Sequence, residues 1–291
     1  MSTMVLQQVI NGIVTGGLYT LIAMGLSQIF GVLGISHFAH GSVVIIAGYL
    51  GYTFTRVLGW ALFPSVILSI ICCTVVGLLM ERFAYRPMMT KPQINIFILA
   101  LGMLFIVDNL AEMIWGPDPL AIQAASNVPI HIGPAVLTTF RLAVVLINFA
   151  VLFGLWGLMK FTKLGRSIRA MAQNREAAKI LGVNLNQTSA LVFGIGSALA
   201  GLCGIFYTSM IQIVPSSGGT LVLKGFAVMI LVGLGNIPGT IVGGLIMGLV
   251  ESLGATFISE AFKDSYGFLV LILAMLFKPD GLFNRKTQIK Y

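Results

Sequence analysis

The sequence predicts an all-α polytopic membrane protein, a bundle of about eight to ten transmembrane helices, some of them broken or re-entrant. Three observations predict it. Of 291 residues, 57% are hydrophobic and only 9% charged, and the mean hydropathy is +0.99. That leaves too little polar surface for a domain wetted on all sides. Apolar runs of about 20 residues, the length that crosses a hydrocarbon core of roughly 30 Å, recur from the first ten residues almost to the end. The runs are continuous and lack the period-two alternation of barrel strands, so helices must satisfy the backbone within lipid.

The apolar runs place spans near residues 5–33, 37–56, 62–80, 93–114, 140–159, 187–211, 221–235, 238–257 and 266–278. The first has no basic region ahead of it and stays apolar to about residue 33, which reads as a retained span and not a cleaved signal peptide. The second carries His40, Gly41 and Arg56. The seventh is short, opens near Lys224 and ends at the break Gly235-Asn236-Ile237-Pro238-Gly239. These two are the expected broken or re-entrant helices. Irregular backbone at membrane depth is tolerated only inside protein or beside a watery cavity, so both point toward a solute path.

The formal charge of +8 is concentrated in Arg82, Arg86 and Lys91, then Lys160, Lys163, Arg166, Arg169, Arg175 and Lys179, then Lys278, Arg285, Lys286 and Lys290. In a lipid-embedded chain this clustering marks cytoplasmic segments, including the C-terminus, and not a nucleic-acid surface. Segment 115–139 holds Pro117, Pro119, Pro129 and Pro134 with Asp118 and no Lys or Arg, as an ordered extracytoplasmic loop would. Counting crossings back from the loop at 81–91 puts the N-terminus outside if 37–56 crosses fully.

Glycines recur at a spacing of four in Gly12/Gly16, Gly235/Gly239/Gly243 and Gly244/Gly248, with the small pair Ser197/Gly201. Such spacing lets helix backbones approach closely. Cys72, Cys73 and Cys203 lie inside apolar runs, as packing residues do, and no disulfide framework is indicated. Asp108 and Glu112 sit late in the fourth span, where a carboxylate reaches the interface. Glu251 lies between apolar runs and is either a structural partner of a group such as Lys224 or part of the path or gate.

His37 and His40 can share a helical face, but no carboxylate or cysteine lies near them to complete a metal site, so neither metal nor cofactor is indicated. His40 then either hydrogen-bonds within the bundle or lines the path. No nucleophile–base constellation is visible, and no Gly-x-x-x-x-Gly-Lys-Ser/Thr loop exists to cradle ATP. The sequon Asn186-Gln187-Thr188 adjoins a cytoplasmic segment and is read as a false positive.

The most informative stretch is Lys163-Leu164-Gly165-Arg166-Ser167-Ile168-Arg169-Ala170, followed by Gln173 to Gly182, in which Glu176 through Gly182 reads EAAKILG. A short helix ending in glycine, with Arg166 and Arg169 before it and apolar residues within it, can present one face to another protein while the chain turns at Gly182. Glu176, Ala177, Ala178 and Gly182 resemble the Glu-Ala-Ala-x-x-x-Gly docking motif of permease subunits of ATP-binding-cassette importers. Where the longer motif continues as Ile-x-Leu-Pro, this chain has Val192-Phe193-Gly194-Ile195.

Further residues resemble the branched-chain amino acid permeases within that group. They are Asn11-Gly12, Gly17-Leu18-Tyr19, Gly25-Leu26, Phe30-Gly31-Val32, Phe38-Ala39-His40-Gly41, Glu81-Arg82, Tyr85-Arg86-Pro87, Lys224-Gly225-Phe226, Gly233-Leu234-Gly235, Glu251 and Phe277 to Phe283. His37 stands where that family has Asn.

The resemblance implies one permease domain over 1–291, with an extracytoplasmic loop at 115–139 and a cytoplasmic coupling loop at 160–186, in the inner membrane. It further implies a second permease subunit, identical or homologous, two cytoplasmic ATPases and a periplasmic solute-binding protein. The solute would be a branched-chain amino acid or a related small molecule such as urea or an amide. Asn11, Tyr19, Phe38, His40 and Glu251 are the expected path residues. The alternative is a stand-alone ion-coupled carrier or channel with Glu251 as its ion site.

Overall fold

A computed structural model describes residues 2–122, 128–233, 235–279 and 281–283. Leu234, Asp280 and the basic residues Arg285, Lys286 and Lys290 lie outside the described residues. The chain opens with α1 (Ser2–Leu33) and, after an irregular link at 34–39, α2 (His40–Tyr52), which runs on through a π-helical turn, Thr53–Val57. Helix α3 (Leu62–Leu79) passes through a second π-helical turn, Met80–Tyr85, into the short α4 (Arg86–Met88). Next come α5 (Gln93–Trp115), strands β1 (Pro129–Ile132) and β2 (Ala135–Thr138), and α6 (Thr139–Phe161). Two short helices, α7 (Lys163–Gln173) and α8 (Arg175–Ile180), precede α9 (Leu185–Thr208), α10 (Ser217–Val232), α11 (Ile237–Phe257) and α12 (Lys263–Phe277).

All nine apolar runs are therefore helical. Among the described residues, six helices are long and apolar enough to cross a membrane: α1, α3 with its continuation to Met88, α5, α6, α9 and α11. The two runs expected to be broken are the short α2 and α10. At 1.5 Å per residue, the 16 residues of α10 reach about 24 Å, less than a bilayer core, and α2 is extended only by its π-helical turn. Both helices follow irregular backbone, at 34–39 and 209–216, and both are largely buried within the bundle, the one place where such backbone is tolerated.

The segment 115–139 contributes what periodicity did not predict, an antiparallel hairpin pairing Pro129 with Thr138 and Ile132 with Ala135, turned at Gly133 with φ +59°. Its β2 strand holds the start of α1, where Val136 donates to Gln7 Oε1 at 2.8 Å and Gln7 donates back to the Val136 carbonyl at 3.0 Å. At the same end of the bundle, the C-terminus of α9 and the following link pair with Leu120 and Ile122. The opposite end carries α7 and α8, the end of α3 and the start of α9.

Glycine spacing sets the packing. A Cβ on Gly16 would lie 2.7 Å from the Gly244 carbonyl oxygen, and one on Gly12 2.8 Å from Leu249 Cα, so α1 and α11 meet backbone to backbone. Helices α1 and α9 cross at Gly25 and Gly196, each within 3.2 Å of the other's carbonyl. Helices α2 and α10 cross where Gly41 faces the Gly218 carbonyl, and α3 meets α9 where Gly77 faces Ser197 and Gly201 faces Ile70. The partnerships are reciprocal: α1 lies on α11 as α9 lies on α3, with α1 antiparallel to α9. The first and last helical triplets thus exchange partners across the α1–α9 crossing.

Overpacking such a contact costs about 1–3 kcal/mol and sometimes more. Gly16→Leu is therefore expected to lower the thermal transition of the detergent-solubilised protein by several degrees. Gly154→Ala, at a helix position where nothing lies within 4 Å, leaves it unchanged. A fluorescence-detected thermal melt of the two variants checks the difference.

Candidate functional site

Four helices bring ionisable groups together near the middle of the bundle. Lys224 on α10 donates from Nζ to Tyr19 Oη on α1 at 2.8 Å and to Glu251 Oε2 on α11 at 2.9 Å, and pairs with Asp264 Oδ1 on α12 at 2.7 Å. Tyr19 Oη donates to Glu251 Oε2 at 2.6 Å. Glu251 is 1% exposed and Lys224 4%. A buried charge persists only when paired and hydrogen-bonded, so the two open readings of Glu251 meet here: Lys224 is its structural partner, and Glu251 also walls a cavity. Its Oε1 has no hydrogen-bond partner among the described residues and lies where a Cβ on Gly267 would come within 3.0 Å.

That cavity, about 530 Å³, opens at the hairpin end. Residues from α1 (Gln8, Asn11, Val14, Thr15 and Leu18) line it together with Arg141 of α6, Met210 and Ile211, the Gly248–Ser252 stretch of α11, and Glu260 and Lys263. A polar belt runs around its wall. Arg141 Nη1 donates to Asn11 Oδ1 at 3.1 Å, Asn11 Nδ2 to Gln8 Oε1 at 3.3 Å, and Ser252 Oγ to Gln8 Oε1 at 2.9 Å. Of the expected path residues, Asn11 and Glu251 are brought together here, and Tyr19 sits behind Glu251. Arg141 was missed. Its only signal was a lone arginine at the start of a span in a chain poor in charge.

Phe38 and His40 lie elsewhere. Phe38 packs on Phe97 and Phe226, with ring centroids 5.3 and 4.9 Å away. The His40 ring fills the notch between Gly25 and Gly196 at the α1–α9 crossing, fully buried, and neither ring nitrogen has a partner among the described residues. His37 hydrogen-bonds Tyr85 Oη through Nδ1 at 2.7 Å. Neither histidine reaches the cavity, and among the described residues no His, Cys, Asp and Glu cluster fit for a metal occurs.

At the other end, α8 forms the short helix expected before Gly182, and the basic stretch ahead of it is a second helix, α7. Thr162 caps α7 by accepting from Gly165 N at 3.0 Å, and Asn174 caps α8 by accepting from Ala177 N at 2.9 Å, so the chain kinks between them. Arg166 and Arg169 are exposed on α7, while Glu176 opens α8. Ala178 is buried, and Gly182 takes φ +84°, the left-handed turn that only glycine adopts freely. Ile180 and Leu181, 86% and 80% exposed, form the tip. Val192 to Ile195, where the longer docking motif has its proline break, lie inside α9.

Behind this tip, Arg86 grips buried Glu81 with Nε at 3.1 Å and Nη2 at 2.6 Å, and Ser189 Oγ on α9 donates to Glu81 Oε1 at 2.7 Å. The α7–α8 segment therefore feeds into a helix clamped to the π-helical end of α3.

The family model described as "Branched-chain amino acid transport system / permease component" matches residues 8–277, a range that takes in both the cavity and the α7–α8 tip. The chain belongs to this family. The high-affinity branched-chain amino acid transport system permease protein LivH of Escherichia coli K12 is 31% identical over 96% of either chain. The corresponding BraD of Pseudomonas aeruginosa is 32% identical over the same shares. In fold, PsaBC from Streptococcus pneumoniae in complex with Fab covers 93% of this chain and 91% of its own at a TM-score of 0.52 and 13% identity. The permease is thus a multi-pass membrane component of a transport system, without an ATPase domain of its own.

Removing one partner of a buried ion pair costs about 3–5 kcal/mol because the other charge is stranded. Lys224→Met in this permease is expected to abolish the folded, monodisperse fraction in detergent. Lys224→Met combined with Glu251→Met restores most of it, because Asp264 is exposed and stays solvated. Size-exclusion profiles and thermal melts of the single and double variants decide.

Proposed function

We propose that this chain is the permease subunit of an ATP-driven importer for branched-chain amino acids, with α8 and Gly182 docking on a cytoplasmic ATPase. The observation that carries the reading is the Ile180–Leu181 tip: two large apolar residues exposed beside Arg166, Arg169 and Lys179, on the Glu-Ala-Ala-x-x-x-Gly turn. An apolar knob in a basic, water-facing segment loses hydration cost only when a partner protein covers it. The adjacent groove formed by Leu164, Ile168, Val183 and Leu191 extends that surface.

In this arrangement the α7–α8 end faces the cytoplasm of a cell with an inner membrane, and the hairpin end, with the cavity mouth, faces the periplasm. A periplasmic solute-binding protein delivers the amino acid there, a second permease subunit completes the pathway, and two ATPases supply the energy. Docking movements pass through Gly182 into α9, and the Glu81–Arg86–Ser189 clamp carries them into α3. The concentration of Lys and Arg at the α7–α8 end supports this orientation. Asn11, Tyr19 and Glu251 belong to the solute side of the machine, while Phe38 and His40 hold helices together.

A stand-alone ion-coupled carrier would use Glu251 as its ion site, and the unpartnered Oε1 is the feature that favours it. Amino-acid uptake by proteoliposomes containing this chain alone, without ATP, would select that reading.

Replacing Ile180 and Leu181 with Asp places two charges in the docking surface. Loss of the ATPase from the affinity-purified permease, with an unchanged thermal melt of the permease itself, is the expected result. Retention of the ATPase with coupled hydrolysis would sink the docking role. A second variant, Glu176→Ala with Gly182→Ala, is expected to lower ATP-dependent leucine uptake about tenfold or more, since an αL glycine and a helix N-terminal carboxylate each contribute about 1 kcal/mol.

A further inference from the structure

The cavity at the hairpin end has a composition that no general role as an entrance requires. Its charged lining is balanced, Arg141 and Lys263 against Glu251 and Glu260. An anionic ligand would call for an excess of cations, a neutral sugar or amide for none. Its volume of about 530 Å³ falls within the 300–1,000 Å³ of ordinary small-molecule sites.

The two inner charges are poised in opposite senses. Lys224 pairs with Glu251 through Oε2 and with the exposed Asp264, which leaves Glu251 Oε1 without a hydrogen-bond partner among the described residues. Arg141 has no carboxylate partner among the described residues, and the one hydrogen bond its guanidinium makes there goes to the Asn11 amide oxygen. The belt Arg141–Asn11–Gln8–Ser252 ties the guanidinium to the residue next to Glu251 through three successive hydrogen bonds. A guanidinium held in place presents its remaining N–H groups as a fork matched to a carboxylate. Between the two charges the wall is apolar: Val14, Leu18, Met210 and Ile211.

We propose that this cavity is a stopping site for a zwitterionic aliphatic amino acid, with Arg141 binding its carboxylate, Glu251 its ammonium, and Val14, Leu18, Met210 and Ile211 its side chain. Asn11 is a positioning residue that orients the guanidinium. The permease then rechecks both ends of the solute after the binding protein has released it. The proposal rests on the permease reading above, and it adds the residues that would recognise the solute within this subunit.

The test uses the complete transporter, reconstituted and first shown to take up leucine with ATP, so that failure of the permease reading would already have appeared. Ala255→Cys, on the cavity wall, is labelled with a membrane-impermeant methanethiosulfonate reagent, and labelling of the native cysteines is subtracted. Millimolar leucine is expected to slow labelling, whereas leucinamide, which lacks the carboxylate, and 4-methylpentanoate, which lacks the ammonium, do not. Adding Arg141→Ala removes the protection by about tenfold or more while the rate without ligand stays the same, and Arg141→Lys retains part of it. Unprotected wild-type labelling, equal protection by all three compounds, or full protection in the Arg141→Ala background would overturn the proposal and leave the permease reading standing.

Discussion

The structure depends on backbone-to-backbone contact between helices that share no hydrophobic drive to associate. In lipid an apolar side chain is as well solvated by acyl chains as by another helix, so attraction must come from dispersion at close range and from polar contacts. Gly16 against Gly244, Gly25 against Gly196 and Gly41 against Gly218 provide that range. Two of these crossings hold α1 against α11 and α9, the third holds α2 against α10, and the buried His40 ring of α2 packs against Gly25 of α1. The short α2 and α10 are possible only because this inner layer shields their irregular approaches from lipid.

The same close packing makes the ion cluster affordable. Lys224, Glu251 and Tyr19 come from three helices whose separation is set by glycines, and their short hydrogen bonds replace the water that each charge has lost. Asp264, at the exposed start of α12, offers a second carboxylate to the same lysine, which couples the buried cluster to the surface near the cavity mouth. Opposite charges are therefore matched both in the core and along the cavity lining.

The opposite end is built from short capped elements. Side-chain caps at Thr162 and Asn174 start two helices twelve residues apart, and a left-handed glycine turns the chain toward α9. Glu81, fully buried and held by Arg86 and Ser189, joins α9 to α3. The π-helical turn at Met80–Tyr85 is what brings Glu81 and Arg86 into a pair five residues apart, a separation that an ordinary helix does not favour.

Sequence alone determined the class, the nine apolar segments, the end of the bundle that carries the basic residues, and the short helix that turns at Gly182, because hydropathy, glycine spacing and a motif of seven residues are local properties of the chain. It also marked Glu251 as costly in lipid, whatever its partner. Tertiary structure alone decided that Asn11 meets Arg141, 130 residues away, that Glu251 meets Tyr19, 232 residues away, and that Phe38 and His40 lie away from the cavity lining. The physical reason is rotational: an almost uniformly apolar helix such as α1 carries no stripe that says which face turns inward. Its orientation is set by where glycines on the neighbouring α9, α10 and α11 allow contact, and that is a property of the assembled bundle.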